Sequence, residues 1–282
     1  IQSGDRTRAP MGLLAVGPMG AGKTFVIKAF LKEAGLSGVA LKNFRSKWVG
    51  STEANLERVL ATVKAMGPIA LVIDEGDRSF GRQGDDADGG TSSRVIARLK
   101  EFMSDPENRG QVLFILMTNR PDKLDTDIKR PGRLDRKIPF FYAENAAERA
   151  AVISAVCARY RVPLEVSEDV LLAACETLEG YSNADLEALA LLAAEFAERG
   201  ARVADGTLPP AVADRSATVT PALLAQASAD FMPPQETAMV RFMEMLAVAE
   251  TSRRSLLPQR FRSLSAVEVQ ERLAELRRQI LP

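Results

Sequence analysis

The 282-residue chain contains no histidine. That absence removes the usual general base near neutral pH, the commonest metal ligand and the usual pH switch, so neither a Ser-His-Asp nor a Cys-His hydrolase can be assembled from it. Cysteine is scarce: Cys157 and Cys175 sit among Ala, Val and Leu at a spacing that suits neither a zinc site nor a disulfide framework. They are expected to be buried free thiols in a reducing compartment, the cytoplasm. Net charge is also absent, with 37 Lys and Arg against 37 Asp and Glu. A surface built to neutralise many phosphates carries a basic excess, so nucleic acid is not the default partner. No apolar run approaches the ~20 residues that span a bilayer, and no charged-then-apolar leader opens the chain. Because the first residue is Ile1, an upstream adaptor or anchor domain stays compatible with the sequence. What is present, 46% apolar and 26% charged residues, fits a soluble globular protein of more than one domain.

The neutral total conceals an asymmetry. Residues 1–143 carry 23 basic against 17 acidic side chains, and the remainder carries 14 against 20 with no lysine at all. The first part alternates short apolar runs, read as strands at Leu13–Val16, Val39–Lys42, Ile69–Ile73, Val112–Met117 and Lys137–Phe141, with helical stretches at Lys23–Glu33, Thr52–Ala65 and Ser92–Met103. This pattern predicts an α/β fold whose parallel sheet is covered on both faces. Gly81–Gly90, rich in Gly and Asp, reads as a loop. The second part reads as helices only. Ser182 with Asp185 and Ser265 with Glu268 mark two helix starts, while Thr207–Thr220 reads as a linker and Met232–Pro234 as a break. The methionines beyond that break, Met239 and Met243 beside Phe242 and Leu246, read as core filler. Domains are placed at 1–143, 144–232 and 233–282.

Gly17, Pro18, Met19, Gly20, Ala21, Gly22, Lys23 and Thr24 match G-x-x-x-x-G-K-[ST] directly after an apolar strand and at the opening of a helix. Glycines let successive backbone N–H groups curl around a phosphate chain, and the helix N-terminus adds its positive end. Lys23 would reach the outer phosphates and Thr24 would bind Mg²⁺. Leu71–Glu75 is an apolar strand ending in two acids, placing Asp74 on the metal's hydration shell and Glu75 where it can polarise a water, the base role that histidine cannot fill here. The strand Val112–Met117 ends in Thr118 and Asn119, whose neutral amide can hold water or a γ-phosphate without competing for its proton.

The segment from Thr118 to Arg136 closely resembles the second region of homology of the AAA ATPases, within the AAA+ superfamily, and Gly180–Leu186 resembles that family's lid motif. Together these motifs run from about Gly12 to Leu186. The resemblance implies a three-layer αβα P-loop NTPase domain with a parallel five-stranded sheet, a helical lid domain and C-terminal helices. It implies an ATP-hydrolysing ring, usually a hexamer, that binds ATP/ADP and Mg²⁺. In it Arg130 and Arg133 match the two arginines that reach into a neighbouring subunit's site, where a guanidinium fork stabilises charge on the transferring phosphoryl group. Asn183 and Ala184 stand at the lid position near the nucleotide, where the family usually has Gly-Ala. Trp48, the chain's single tryptophan, and Val49 match an aromatic–aliphatic–Gly loop that lines the axial pore and grips an extended polypeptide, and Gly81–Gly90 matches a second pore loop.

The expectation is therefore a Mg-dependent AAA ATPase that self-assembles into a ring and unfolds, threads or disassembles a protein substrate, with no nucleic acid and no membrane segment in this chain. Two competitors remain: a helicase- or loader-type nucleic-acid ATPase, kept open by the basic first part, and a scaffold that binds nucleotide only to assemble.

Overall fold

The computed structural model describes residues 9–41, 52–77, 91–205, 218–233 and 237–280. They form two compact units. The first comprises Ile1–Pro18, Lys23–Phe140 and Thr237–Pro282, and the second Met19–Gly22 with Phe141–Glu236. Trp48 and Val49, and the Gly81–Gly90 segment, lie outside the described residues.

In the first unit five strands pair in parallel in the order β2-β3-β4-β1-β5: β1 Gly12–Val16, β2 Ser37–Leu41, β3 Ile69–Ile73, β4 Val112–Thr118 and β5 Arg136–Pro139. The near-continuous apolar runs of β1, β3 and β4 follow from burial on both faces, and all seven residues of the central β4 are buried. Helix α1 (Lys23–Glu33) covers one face, its Ile27 and Leu31 packing with Leu13, Ala15, Leu113, Ile115 and Met117. The residues that alternate with these point the other way. There Phe114 meets Phe102 of α3 (Thr91–Ser104) edge to face, ring centroids 5.8 Å apart, and α2 (Thr52–Ala65) packs beside α3. The edge strands differ slightly from the sequence reading. β2 starts two residues earlier than Val39, and β5 covers Arg136–Pro139 rather than reaching Phe141, although Phe140 N still donates to Val16 O at 2.7 Å.

The second unit holds α4 (Ala146–Tyr160), α5 (Glu168–Glu176), α6 (Asn183–Asp205) and α7 (Pro221–Asp230). They share a core of Ile153, Val156, Leu171, Leu186, Leu189 and Leu224 in which Cys157 and Cys175 are buried as free thiols. Burial pushes both thiols above their ordinary pKa, so they stay protonated. Asn145 caps α4 through the Glu148 amide, and Ser182 and Asp185 cap α6 reciprocally, Ser182 N to Asp185 Oδ2 at 2.9 Å and Asp185 N to Ser182 Oγ at 3.0 Å. Val219 N donates to Pro163 O and Glu165 N to Val219 O, closing a parallel bridge that holds the chain before α7 against the segment after α4.

After the break at Met232, α8 (Thr237–Glu250), a short turn α9 (Gln259–Arg262) and α10 (Ala266–Ile280) belong to the first unit. Here α8 packs on β5 and β1, and α10 packs along α8. The stretch Phe242–Val248 is buried on every side, with Met243 and Met245 as core. α10 opens on the Ser265 and Glu268 capping box, whose amides bond to the partner side chains at 2.8 and 3.2 Å.

Candidate nucleotide site

In the sheet register Val16 faces Thr118 across β1 and β4, and Ile73 faces Leu116 across β3 and β4. Gly17, Asp74 and Asn119 each follow the last residue of their strand. Three chemically distinct groups are thereby brought to one edge of the sheet, its C-terminal end, where open α/β sheets bind ligands.

Lys23 opens α1, and its ammonium turns back to donate to Gly17 O and Pro18 O, both at 2.8 Å. Burial lowers its pKa from 10.5 to about 8, against the attraction of Asp74 and Asp77. Thr24 Oγ1 stands 3.4 Å from Asp74 Oδ2. Two hard oxygens at that spacing, one a carboxylate, fit Mg²⁺, which keeps most of its waters and takes one or two protein oxygens when it binds beside phosphates.

Glu75 is exposed and adopts a left-handed backbone, φ 51°, with its amide donating to Asp74 Oδ1 at 2.9 Å. That conformation costs a non-glycine residue on the order of 1–2 kcal/mol. It falls where the chain leaves the end of β3. The next residue, Gly76, permits the turn, because an added Cβ there would stand 2.3 Å from Leu116 Cδ2 and 2.7 Å from its Cγ. Thr118 Oγ1 donates to Asp77 Oδ1 at 2.7 Å and accepts the Arg120 amide at 3.0 Å, so the turn after β3 and the half-buried Asn119 are fixed by one hydroxyl. Sequence reasoning missed Gly76, Asp77 and the role of Thr118. Only the position of Thr118 at a strand end could have signalled it.

The two arginines of the Arg130–Arg133 turn differ. Arg133 is four-fifths buried and bonded within its own chain, to the Asp127 carboxylate, to Asp127 O at 3.0 Å and to Ser104 Oγ at 2.6 Å. The Asp127 carboxylate is held below its ordinary pKa mainly by the hydrogen bond from Arg133. Arg130 is 73% exposed, with Asp127 Oδ1 at 3.4 Å. Asp135, in the same turn, accepts Gly132 N at 2.6 Å and Met11 N at 2.8 Å, anchoring it to the start of β1.

Within the second unit, the residues that begin α6 hold the loop tip Met19–Gly22. Ala184 N donates to Gly20 O at 3.1 Å, Asn183 Nδ2 to Ala21 O at 3.2 Å, and Tyr142 OH to Met19 O at 2.7 Å. Gly20 and Gly22 have φ of +76° and +83°, and a Cβ on Gly20 would lie 2.7 Å from Ser182 Oγ. Side chains there would fill the cradle. Asn183 also accepts the Ala143 amide at 3.2 Å through Oδ1, a bond that glycine at this position could not make.

Residues 13–142 match the family described as ATPase family associated with various cellular activities (AAA). The chain is similar to a cell division cycle protein 48 homolog of Archaeoglobus fulgidus, 35% identical over 193 residues that cover 67% of this chain and 26% of that protein. It is similar to the nuclear valosin-containing protein-like of Mus musculus, 35% identical over 188 residues (64% and 21%), and to the ATPase family protein 2 homolog of Caenorhabditis elegans, 33% identical over 193 (67% and 26%). The matched part spans about a quarter of the length of these curated relatives. The loop after β1, the paired acids after β3 and the Asn119-to-Arg133 segment all fall inside the matched residues, so residues 13–142 carry a domain of the AAA family of ATPases.

Proposed function

We propose that this protein hydrolyses ATP in a Mg²⁺-dependent reaction and uses the cycle to remodel protein substrates as a self-assembled ring. The observation that carries the reading is the meeting of Thr24 Oγ1 and Asp74 Oδ2 beside Lys23. Two hard oxygens and one cation side by side support binding of a phosphate chain with its metal over the loop. Lys23 binds the outer phosphates by exchanging its two loop carbonyls for phosphate oxygens. Thr24 and Asp74 would hold the Mg²⁺, which would supply neutralisation of phosphate charge. Glu75 accepts a proton from the attacking water on its carboxylate, and Asn119 holds that water or the γ-phosphate through its amide.

Of the two arginines, Arg130 is assigned the reach into a neighbouring subunit, since Arg133 is already committed to Asp127 and Ser104. Trp48 and Val49 are assigned to polypeptide contact in the pore and Asn183 and Ala184 to the nucleotide. Protein remodelling and ring assembly, most simply a hexamer, follow from the resemblance to AAA ATPases, and the exposure of Arg130 suits a reach into a neighbouring subunit.

The test is Glu75→Gln in the full chain. ATP hydrolysis should fall by about a hundredfold or more, the scale of losing a general base, while MgATP still raises the melting temperature. Hydrolysis at the wild-type rate would overturn the assignment. Salt-sensitive binding of single- or double-stranded nucleic acid, with protein binding unchanged in Trp48→Ala, would favour the helicase or loader reading instead.

A further inference from the structure

Within the first unit, the C-terminal helices meet the segments that follow β4 at two places that matter to the site. Arg120, the residue after Asn119, makes a two-pronged bond to Asp122 (2.9 and 2.8 Å), and its guanidinium lies over the Phe242 ring of α8, 5.3 Å from the centroid. Arg277 of α10 lies over the same ring at 5.9 Å and 4.0 Å from Asp122 Oδ2. At the second place the ammonium of Lys129, immediately before Arg130, donates to Pro121 O at 3.1 Å and to the Glu250 carboxylate at the end of α8. Glu250 also accepts Lys137 of β5 at 3.0 Å, and Ser252 bonds to the Lys137 backbone at 3.2 Å. The Lys129 and Glu250 side chains are only 14% and 16% exposed.

One ammonium therefore joins the segment that carries Asn119 to the segment that carries Arg130, and one carboxylate from the far end of the sequence holds that ammonium in place. Burying such a pair adds little stability compared with an apolar pair of the same volume, because desolvation offsets the attraction. What the pair does fix is direction. Without Glu250, Lys129 keeps one carbonyl and a poorly solvated charge, and the Arg130 turn loses its tie to α8.

We infer that Glu250 is a positioning residue that, through Lys129, sets the turn bearing Arg130, so that the C-terminal helices belong to the apparatus acting on the neighbouring subunit's nucleotide. This rests on the proposed trans role of Arg130. A misplacement of about 1 Å in a catalytic group costs up to about a hundredfold in rate, and the expected loss of kcat lies between tenfold and that figure.

The test compares full-chain Glu250→Gln, Lys129→Gln, their double variant and Lys137→Gln. Each of the first two should lose at least about tenfold in kcat, with KM for ATP and the MgATP-induced melting shift unchanged, and the double variant should be no worse than the poorer single. Lys137→Gln removes the other arm of the same carboxylate and should keep the wild-type kcat. Mixing Glu250→Gln subunits with Glu75→Gln subunits should restore hydrolysis, because the first kind supplies an intact site and the second an intact Arg130. An unchanged kcat in Glu250→Gln, an equal loss in Lys137→Gln, or no recovery on mixing would each overturn the inference. Mixing Arg130→Ala with Glu75→Gln serves as the reference. Failure of that pair to recover would refute the trans role of Arg130 itself, whereas its recovery alone would refute only the role of Glu250.

Discussion

Replacing Lys23 by methionine should stabilise the nucleotide-free protein at neutral pH while abolishing its response to MgATP. The fall of the lysine pKa from 10.5 to about 8 corresponds to roughly 3 kcal/mol against the charged form in the folded chain, caused first by burial. Methionine removes that cost and also the bonds to Gly17 O and Pro18 O, each contributing about 1 kcal/mol. The balance is a gain of about 1 kcal/mol, or about 2–4 °C in melting temperature for a domain of this size. The sign with pH follows from proton counting. Between pH 8 and 10.5 the unfolded chain holds a proton that the folded one has released, so wild-type stability rises through that window. The order reverses inside that window, at about pH 9, and at its upper end the variant is the weaker by its lost bonds. Urea or thermal unfolding at pH 7, 9 and 10.5, with and without MgATP, reads all of this. Nucleotide at a hundred times its Kd should add about 2.7 kcal/mol to the wild type and nothing to the variant. A variant less stable than wild type at pH 7, a difference that ignores pH, or a retained MgATP shift would refute the reasoning.

Gly76→Ala should cost about 1–3 kcal/mol in urea unfolding by overpacking against Leu116 and should lower ATP hydrolysis by moving Glu75; adding Leu116→Ala should cost less than the two changes summed. Arg133→Ala should lower the urea midpoint by the equivalent of about 1–3 kcal/mol, since it removes bonds to Asp127 and Ser104, while Arg130→Ala should leave that midpoint unchanged and depress kcat. Cys157 and Cys175 should resist a maleimide in the native protein at pH 7 and react together once urea unfolds the second unit.

The central strands and the phosphate loop were legible because their signals are local. A buried parallel strand needs an unbroken apolar run, and the candidate site residue is the next one along, as at Val16–Gly17, Ile73–Asp74 and Thr118–Asn119. The capping pairs Ser182/Asp185 and Ser265/Glu268 were legible for the same reason. What stayed hidden depends on partners far along the chain. Nothing around Gly76 announces Leu116, and Lys129 and Glu250 are 121 residues apart. That Arg133 is bonded within its own chain while Arg130 is exposed could not be read either, because it depends on the Ser104 hydroxyl at the end of α3 and on the carboxylate of Asp127. The loop tip was read as part of one continuous motif, yet residues 19–22 take their hydrogen bonds from Tyr142, Asn183 and Ala184.

The left-handed backbone at Glu75 has a consequence for anyone engineering this chain. Glycine or asparagine would occupy that φ with less strain than glutamate, so a library sorted only for heat resistance should enrich them there. Survivors of such a screen would be sturdier and catalytically silent, and activity has to be selected alongside stability from the first round.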